Sequence, residues 1–479
     1  MKEFAIKWKS SDTEELLMLL PRYALTEPMF SSTETIAKGS NLTQKFSLTV
    51  VLLRALLLHH FNFIRTNHYK TVPQFLWDSM TSFISCEESA DIISKSIICG
   101  KDKTFPYLTI DRYSARKLIL DGNGNSNKSI IAQLTKEFKT INSNQLQCRK
   151  RPWSVTFMNE HAIDVGGPAR ELMTEVADSI FEPTSQLCYK VPNGRKSQGN
   201  YQDTYIPYDK LNQHTDEYIT IGIYLGIVIR TGLVQDLPFA PIVWKYLAKE
   251  KINDNDILCL DDAMNEMFKH LREDINNNRF EENIYPWKIE NWDGQITVLP
   301  GHSYNSFVRM NEVEQYIQES IQYRIQTLKP TLKLIRNAFR TNIGFKSHPL
   351  LNGNLLSRMA QGSSIITIEH LKSITIVSDY DGINDPYIVR FWKAVERLTP
   401  EQRKLLLKFI TTLTRLPNTT INQDFTMQID KLAVSNPDET LPTAATCFNR
   451  LHLPPYSDDQ ICYEKLLYAI QFCQTMENK

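Results

Sequence analysis

The chain has 479 residues, 42% of them hydrophobic and 10% aromatic, enough to bury more than one core and, by length, to form roughly three domain-sized units. Lysine plus arginine equals aspartate plus glutamate at 54 each, which excludes the global field that draws a protein to nucleic acid or an acidic membrane surface. Partners are expected at local surfaces, with no nucleic acid and no membrane among them.

The N-terminus, MKEFAIKWKSSDTEELL, places charges where a secretory signal needs an uninterrupted apolar stretch. The longest apolar run, Leu48 to Leu58, is broken by Arg54 and falls short of the ~20 residues that span a bilayer. A cytoplasmic or nuclear protein is the expectation. Leu16, Leu17, Leu19 and Leu20, then Phe46 to Phe63, predict helices in the first hundred residues, read as a helical cap. DGNGNSNK (121–128) and VPNGRKSQGNYQD (191–203) predict loops. Ile219 to Leu247 is apolar but carries Gly222, Gly226 and Gly232, each costing helix propensity ~1 kcal/mol relative to alanine, which points to close helix packing.

Ile317, Ile321, Ile325 and Leu328 form one helical face, which Pro330 is expected to end or restart before Leu332, Ile335 and Phe339 continue it. MAQGSS (359–364) reads as a flexible connector, followed by strands at Ile365 to Ile368 and Ile374 to Val377. Thr399 and Gln402 form a capping box with Pro400 at the first helical position, and Ser457 with Gln460 repeats the pattern.

The 8 cysteines include no CxxC pair and no Cys/His cluster at zinc-ligand spacing, so neither a disulfide framework nor a metal site is expected. Most are read as buried small hydrophobes. No cofactor is expected.

Leu441 to Ser457, LPTAATCFNRLHLPPYS, resembles the active-site segment of the HECT family of ubiquitin ligases in its LP pair, its TCFN core and its LxLPxYS tail. FWKAVERLTPEQRKLLLKFITTLTRLP (391–417) is similar to the segment that precedes it in that family. NEHAIDVGGPARELMTEV (159–176) resembles the Gly-Gly-x-x-Arg-Glu landmark, IDRYSARKLI (110–119) the domain start, and IGIYLGIVIRTGLVQDLPFAP (221–241) the helix leading to the docking region. In two places the chain departs from the pattern. Ala445 and Thr446 precede the cysteine where histidine is common, and Thr411-Thr412 stands where threonine-glycine is common. Met476 holds the place, four from the end, of the family's apolar tail residue.

The resemblance implies an α+β, mainly helical, bilobal domain. Residues 1–104 would be a helical extension similar to that of HERC-like members, 105–360 the large lobe with a conjugating-enzyme docking subdomain at about 244–300, 361–364 a hinge around Gly362 and Ser363, and 365–479 the small lobe. It further implies that Cys447 accepts ubiquitin from a conjugating enzyme as a thioester and passes it to a lysine of a protein substrate. A thiol both attacks a thioester and leaves readily, and an unperturbed one is already a few per cent ionised at neutral pH. Thr446, Phe448 and Asn449 would support it, with Phe448 packed into the core from an extended segment. Among the apolar residues at 244–292, Leu260, Phe268, Leu271, Tyr285 and Trp287 are the candidates for an exposed docking surface. His452 is read as a surface histidine, and Gly166-Gly167 with Arg170 and Glu171 as a structural turn and polar tie. A scaffold that docks without transfer, and a cysteine hydrolase using His452, are the rival readings.

Overall fold

The computed structural model describes residues 86–100, 105–121, 128–149, 151–160, 166–209, 211–344, 348, 350–363, 365–417 and 425–472. The leucine-rich segments before residue 86, the loop at 122–127, Ser364 and Met476 lie outside the described residues. The chain divides into two units, Met1–Ser96 with His348–Leu350, and Ile97–Ser347 with Leu351–Lys479. In the first, helix α1 spans Cys86–Ser96, with Ala90 and Ile93 buried.

The second unit is mainly helical with small sheets. Strand β1 (Tyr107–Ile110) pairs in parallel with β2 (Ser154–Phe157), Tyr107 opposite Ser154 and Ile110 opposite Phe157. Between them run α2 (Arg112–Asp121) and α3 (Ile130–Thr140), the latter capped by the Ser129 side chain, which accepts from the Ala132 amide. Helix α4 (Gly167–Phe181) follows, burying Leu172, Val176 and Ile180 at four-residue spacing. Strands β3 (Cys188–Lys190) and β4 (Tyr205–Pro207) pair antiparallel. The loop expected between them begins as one helical turn, α5 (Pro192–Arg195), because Pro192 presets the first helical φ.

Helix α6 (Thr215–Thr231) is followed by α7 (Pro241–Ala248), α8 (Asn255–Leu258), α9 (Asp262–Asn276) and the antiparallel pair β5 (Lys288–Glu290) and β6 (Ile296–Val298). Helix α10 (Val313–Ile343) packs along α6, and the glycines explain how closely. A Cβ on Gly222 would stand 2.3 Å from the Ile335 carbonyl oxygen, and one on Gly226 2.3 Å from Asn342 Oδ1. Gly232 closes α6 in the left-handed conformation. Contrary to expectation, α10 runs through Pro330 without ending. Pro330 and Gln326, whose carbonyl loses its partner, are both exposed, where solvent can satisfy the freed carbonyl.

After α11 (Gly353–Gln361), which occupies half of the expected connector, come α12 (Ile368–Ser373), β7 (Thr375–Ser378), α13 (Pro386–Glu396), α14 (Pro400–Thr411), β8 (Met427–Lys431), β9 (Thr443–Ala445), β10 (Arg450–Leu453) and α15 (Asp459–Phe472). The four strands form one sheet in the order β7-β8-β10-β9, parallel except for β9 against β10. Ile388, Phe391, Leu407, Ile429, Leu451 and Leu466 belong to a single core drawn from residues 366 to 470. Burial of each contributes about 1.5–3 kcal/mol. No strand forms at Ile365 to Ile368, because the Thr367 side chain accepts from the His370 amide and starts α12 instead. The Thr399–Gln402 capping box is present, but Asp458, not Ser457, accepts from the first amides of α15 while Ser457 binds Asp438.

Gly362 takes φ 70° and ψ −164°, a region open to glycine alone. Ser363 exchanges both backbone hydrogen bonds with Leu416, at 2.8 and 3.0 Å, so it is paired rather than free. A Cβ on Gly362 would lie 2.2 Å from the Leu416 carbonyl oxygen. Gly362→Ala is therefore expected to cost about 2 kcal/mol or more, read as a lowered thermal midpoint; an unchanged midpoint would mean that the junction relaxes freely.

Candidate active site

Strand β9 and strand β10 pair Ala445 with Arg450, so the chain reverses within residues 446–449. Thr446–Phe448 form a 3-10 turn, and Asn449 ends it in the left-handed conformation, φ 53° and ψ 43°, which asparagine tolerates better than most residues. Three bonds hold Asn449. Its amide donates to the Thr446 carbonyl at 3.2 Å, its carbonyl accepts from the Gln428 amide at 2.9 Å, and its side-chain Nδ2 donates to the Thr426 carbonyl at 3.2 Å. The buried Asn449 thereby clamps both the base of the turn and β8 beside it. Cys447 is the middle residue of this turn by its backbone; its side chain lies outside the described residues.

Phe448 is 59% exposed, which corrects the expectation that it anchors the turn from the core. The reason is geometric: strand alternation would send it inward, but a 3-10 turn sends it out. Thr446 is half-buried. His452, on β10, has Nδ1 4.0 Å from Asp430 Oδ2, outside hydrogen-bond range.

Helix α4 faces this turn. Gly166 precedes it at φ 122°, a conformation only glycine supplies without strain, and the first helical turn carries Arg170. Arg170 Nη1 donates to Asn449 Oδ1 at 3.2 Å, joining residues 279 apart in sequence. Glu171 turns instead to Arg112, 2.8 Å away, so the expected polar tie is two separate ones. Arg415 and Asp236 pair at 3.3 Å nearby. A small cavity of about 20 Å³ is lined by Arg170, Val234, Thr412 and Asn449, among others.

The five docking candidates separate. Leu260, Phe268, Leu271 and Trp287 are buried, and only Tyr285 is partly exposed, which corrects their reading as surface contacts. Met264, Phe268 and Leu271 are the inner stripe of amphipathic α9, while Trp287 stacks on His302 with ring centroids 3.6 Å apart. Exposed apolar residues of this region include Ile284 at 51%, Met310 at 42% and Phe307 at 39%, with Ile296 on β6 and Tyr304 more exposed still. Backbone pairing brings the segments that carry Ile284, Phe307 and Met310 together: the Val308 amide donates to the Tyr285 carbonyl at 2.8 Å, Pro286 bridges Phe307, and the Met310 amide donates to the Glu282 carboxylate at 3.3 Å. Ile284 and Phe307 sit outside helices and long strands, and Met310 opens a single 3-10 turn, so no periodicity marks a face; the signal was apolar residues within turns.

A buried charge node sits at the start of α9. Asp261 accepts from Arg324 Nη2 at 2.9 Å and from Lys196 at 3.3 Å, and it caps α9 by accepting from the Met264 amide at 3.2 Å. Arg324 lies over the Trp292 ring at 4.5 Å, and burial pulls its guanidinium below the ordinary value against the opposing pull of Asp261. Among the described residues no His, Cys, Asp and Glu group could hold a metal ion, and no helix is long and apolar enough to cross a membrane.

Residues 174–479, well over half of the chain, match the family described as HECT-domain (ubiquitin-transferase). The chain belongs to the HECT-domain family. It is 30% identical over 359 residues to E3 ubiquitin-protein ligase HERC2 of Homo sapiens, covering 73% of this chain and 7% of that protein. Probable E3 ubiquitin-protein ligase HUL4 of Eremothecium gossypii is 26% identical over 360 residues, 71% of this chain and 42% of that one. For E3 ubiquitin-protein ligase HECW2 of Homo sapiens the figures are 27% over 340 residues, 67% and 20%. The chain thus spans less than half the length of these HECT-domain relatives.

Proposed function

We propose that this HECT-domain chain is a ubiquitin-protein ligase working in two steps at Cys447, in the cytoplasm or nucleus. First, the Cys447 thiolate attacks the thioester carbonyl joining ubiquitin to a conjugating enzyme; a new C–S bond forms and the enzyme's thiol leaves. A substrate lysine then attacks the new thioester, an amide forms, Cys447 leaves as thiolate and the amine's proton passes to solvent. Exchange between thioesters is nearly energy-neutral, so catalysis is mainly positioning. The observation that supports this reading is the Asn449-clamped turn, which holds Cys447 at the tip of a hairpin. Incubation with charged conjugating enzyme and a non-reducing gel tests it: a reductant-sensitive ubiquitin adduct is expected on this chain. A scaffold gives no adduct; a hydrolase gives free ubiquitin without lysine transfer.

In this reading the conjugating enzyme docks on Ile284, Tyr285, Phe307 and Met310, and the small lobe, residues 365–479, pivots near Gly362 and Ser363. Interface energy concentrates in a few apolar anchors, each worth about 2 kcal/mol or more. Ile284→Asp with Phe307→Asp is therefore expected to slow loading of Cys447 at least about thirtyfold while leaving the thermal midpoint nearly unchanged. Normal loading by the folded variant would place the docking surface elsewhere.

A further inference from the structure

We propose that Arg170 is a positioning residue for the second step, transfer to lysine, and is dispensable for loading; this rests on the ligase reading above. Three of the four bonds to Asn449 come from residues 426–449 and travel with the Cys447 turn wherever it goes. The fourth, from Arg170 Nη1, reaches across from α4 and exists only while the turn lies against that helix. Helix α4 carries none of the proposed docking residues Ile284, Phe307 and Met310, and the bond belongs, in this proposal, to the arrangement that follows loading.

The chemistry of the bond suits a latch. A charged donor meets a neutral amide whose other end is already fixed on Thr426, so the carbonyl oxygen of Asn449 is held in one orientation before docking and loses little freedom when Arg170 arrives. Because Asn449 closes the 446–449 turn, fixing its side chain fixes the backbone of Cys447, two residues away, relative to the larger part of the domain. Arg415 with Asp236, and Ser363 with Leu416, tie the same two parts together, but through residues far from the turn in sequence. Arg170 alone among these three ties acts on the reactive hairpin itself.

The test separates the two steps in the full chain. Arg170→Ala is loaded from charged conjugating enzyme, and the discharge of the purified adduct to free lysine is then followed. Loading at the wild-type rate with discharge slowed about tenfold is expected, tenfold corresponding to ~1.4 kcal/mol. Asn449→Gly keeps the left-handed backbone, and the double variant should discharge no more slowly than Asn449→Gly alone. Additive losses, or loading slowed as much as discharge, would overturn the assignment. Hydrogen exchange of the amides at 446–450 without ubiquitin provides an independent reading, expected to quicken in Arg170→Ala. Unchanged exchange defeats the latch even if the wild-type chain forms no adduct, an outcome that would count against the ligase reading instead.

Discussion

Cys447→Ala is expected to abolish the reductant-sensitive adduct, with lysine transfer falling by a factor on the order of 10³ or more, since no other group can replace an absent nucleophile. Cys447→Ser is expected to trap ubiquitin as an oxyester that survives reductant, because an alkoxide is a poorer leaving group than a thiolate. The other cysteines supply the controls. Cys462, on the buried face of α15, has its thiol pushed up to about 12 by burial, leaving it almost wholly protonated at neutral pH. Cys188 is likewise buried and raised. Cys462→Ser should keep adduct formation, with only a modest loss of stability from the buried hydroxyl. Cys99 is exposed, so Cys99→Ser distinguishes a genuine transfer from adventitious capture. A reductant-sensitive adduct that persists in Cys447→Ala and vanishes in Cys99→Ser would remove Cys447 from the mechanism.

The second large effect is structural. Asp261→Ala should destabilise the domain by about 3–5 kcal/mol, because it leaves the buried Arg324 cation without its carboxylate. Among the described residues Arg324 Nε and Nη1 have no acceptor, so no spare partner stands by to take over. Loss of the α9 cap adds to the damage. Asp261→Asn keeps an acceptor for the Met264 amide and should fall between the two. Replacing Arg324 by methionine in the Asp261→Ala background should recover part of the loss, since removing both charges costs less than orphaning one. Denaturation of the single and double variants checks this; equal stability of Asp261→Ala and the parent chain would mean that Lys196 and Arg324 are satisfied from elsewhere.

Much of the C-terminal half was legible because its signals are local. The Thr399–Gln402 capping box and the close-packing glycines of α6 depend on residues a few positions apart, and the structure has both. The TCFN segment raised the expectation of chemistry at Cys447, yet its local conformation was not legible: Thr446–Phe448 form a 3-10 turn rather than a strand, which turned Phe448 outward. Leu260, Phe268 and Leu271 failed as surface residues because an amphipathic stripe looks the same whether it faces a core or a partner. Pro330 misled because its cost depends on which way the freed carbonyl points, a tertiary fact. The bond from Arg170 to Asn449 was out of reach altogether, since nothing within either segment encodes a partner 279 positions away.

The seam between α6 and α10 bears on heredity as well as mechanics. Every amino-acid replacement reachable from a glycine codon by one base change brings a side chain, and at Gly222 and Gly226 that side chain would strike a carbonyl oxygen or an amide across the seam. Neither site therefore has a conservative replacement. Mutants at these two codons should be conditional, functional in the cold and failing on warming, and should lose every step of the reaction together.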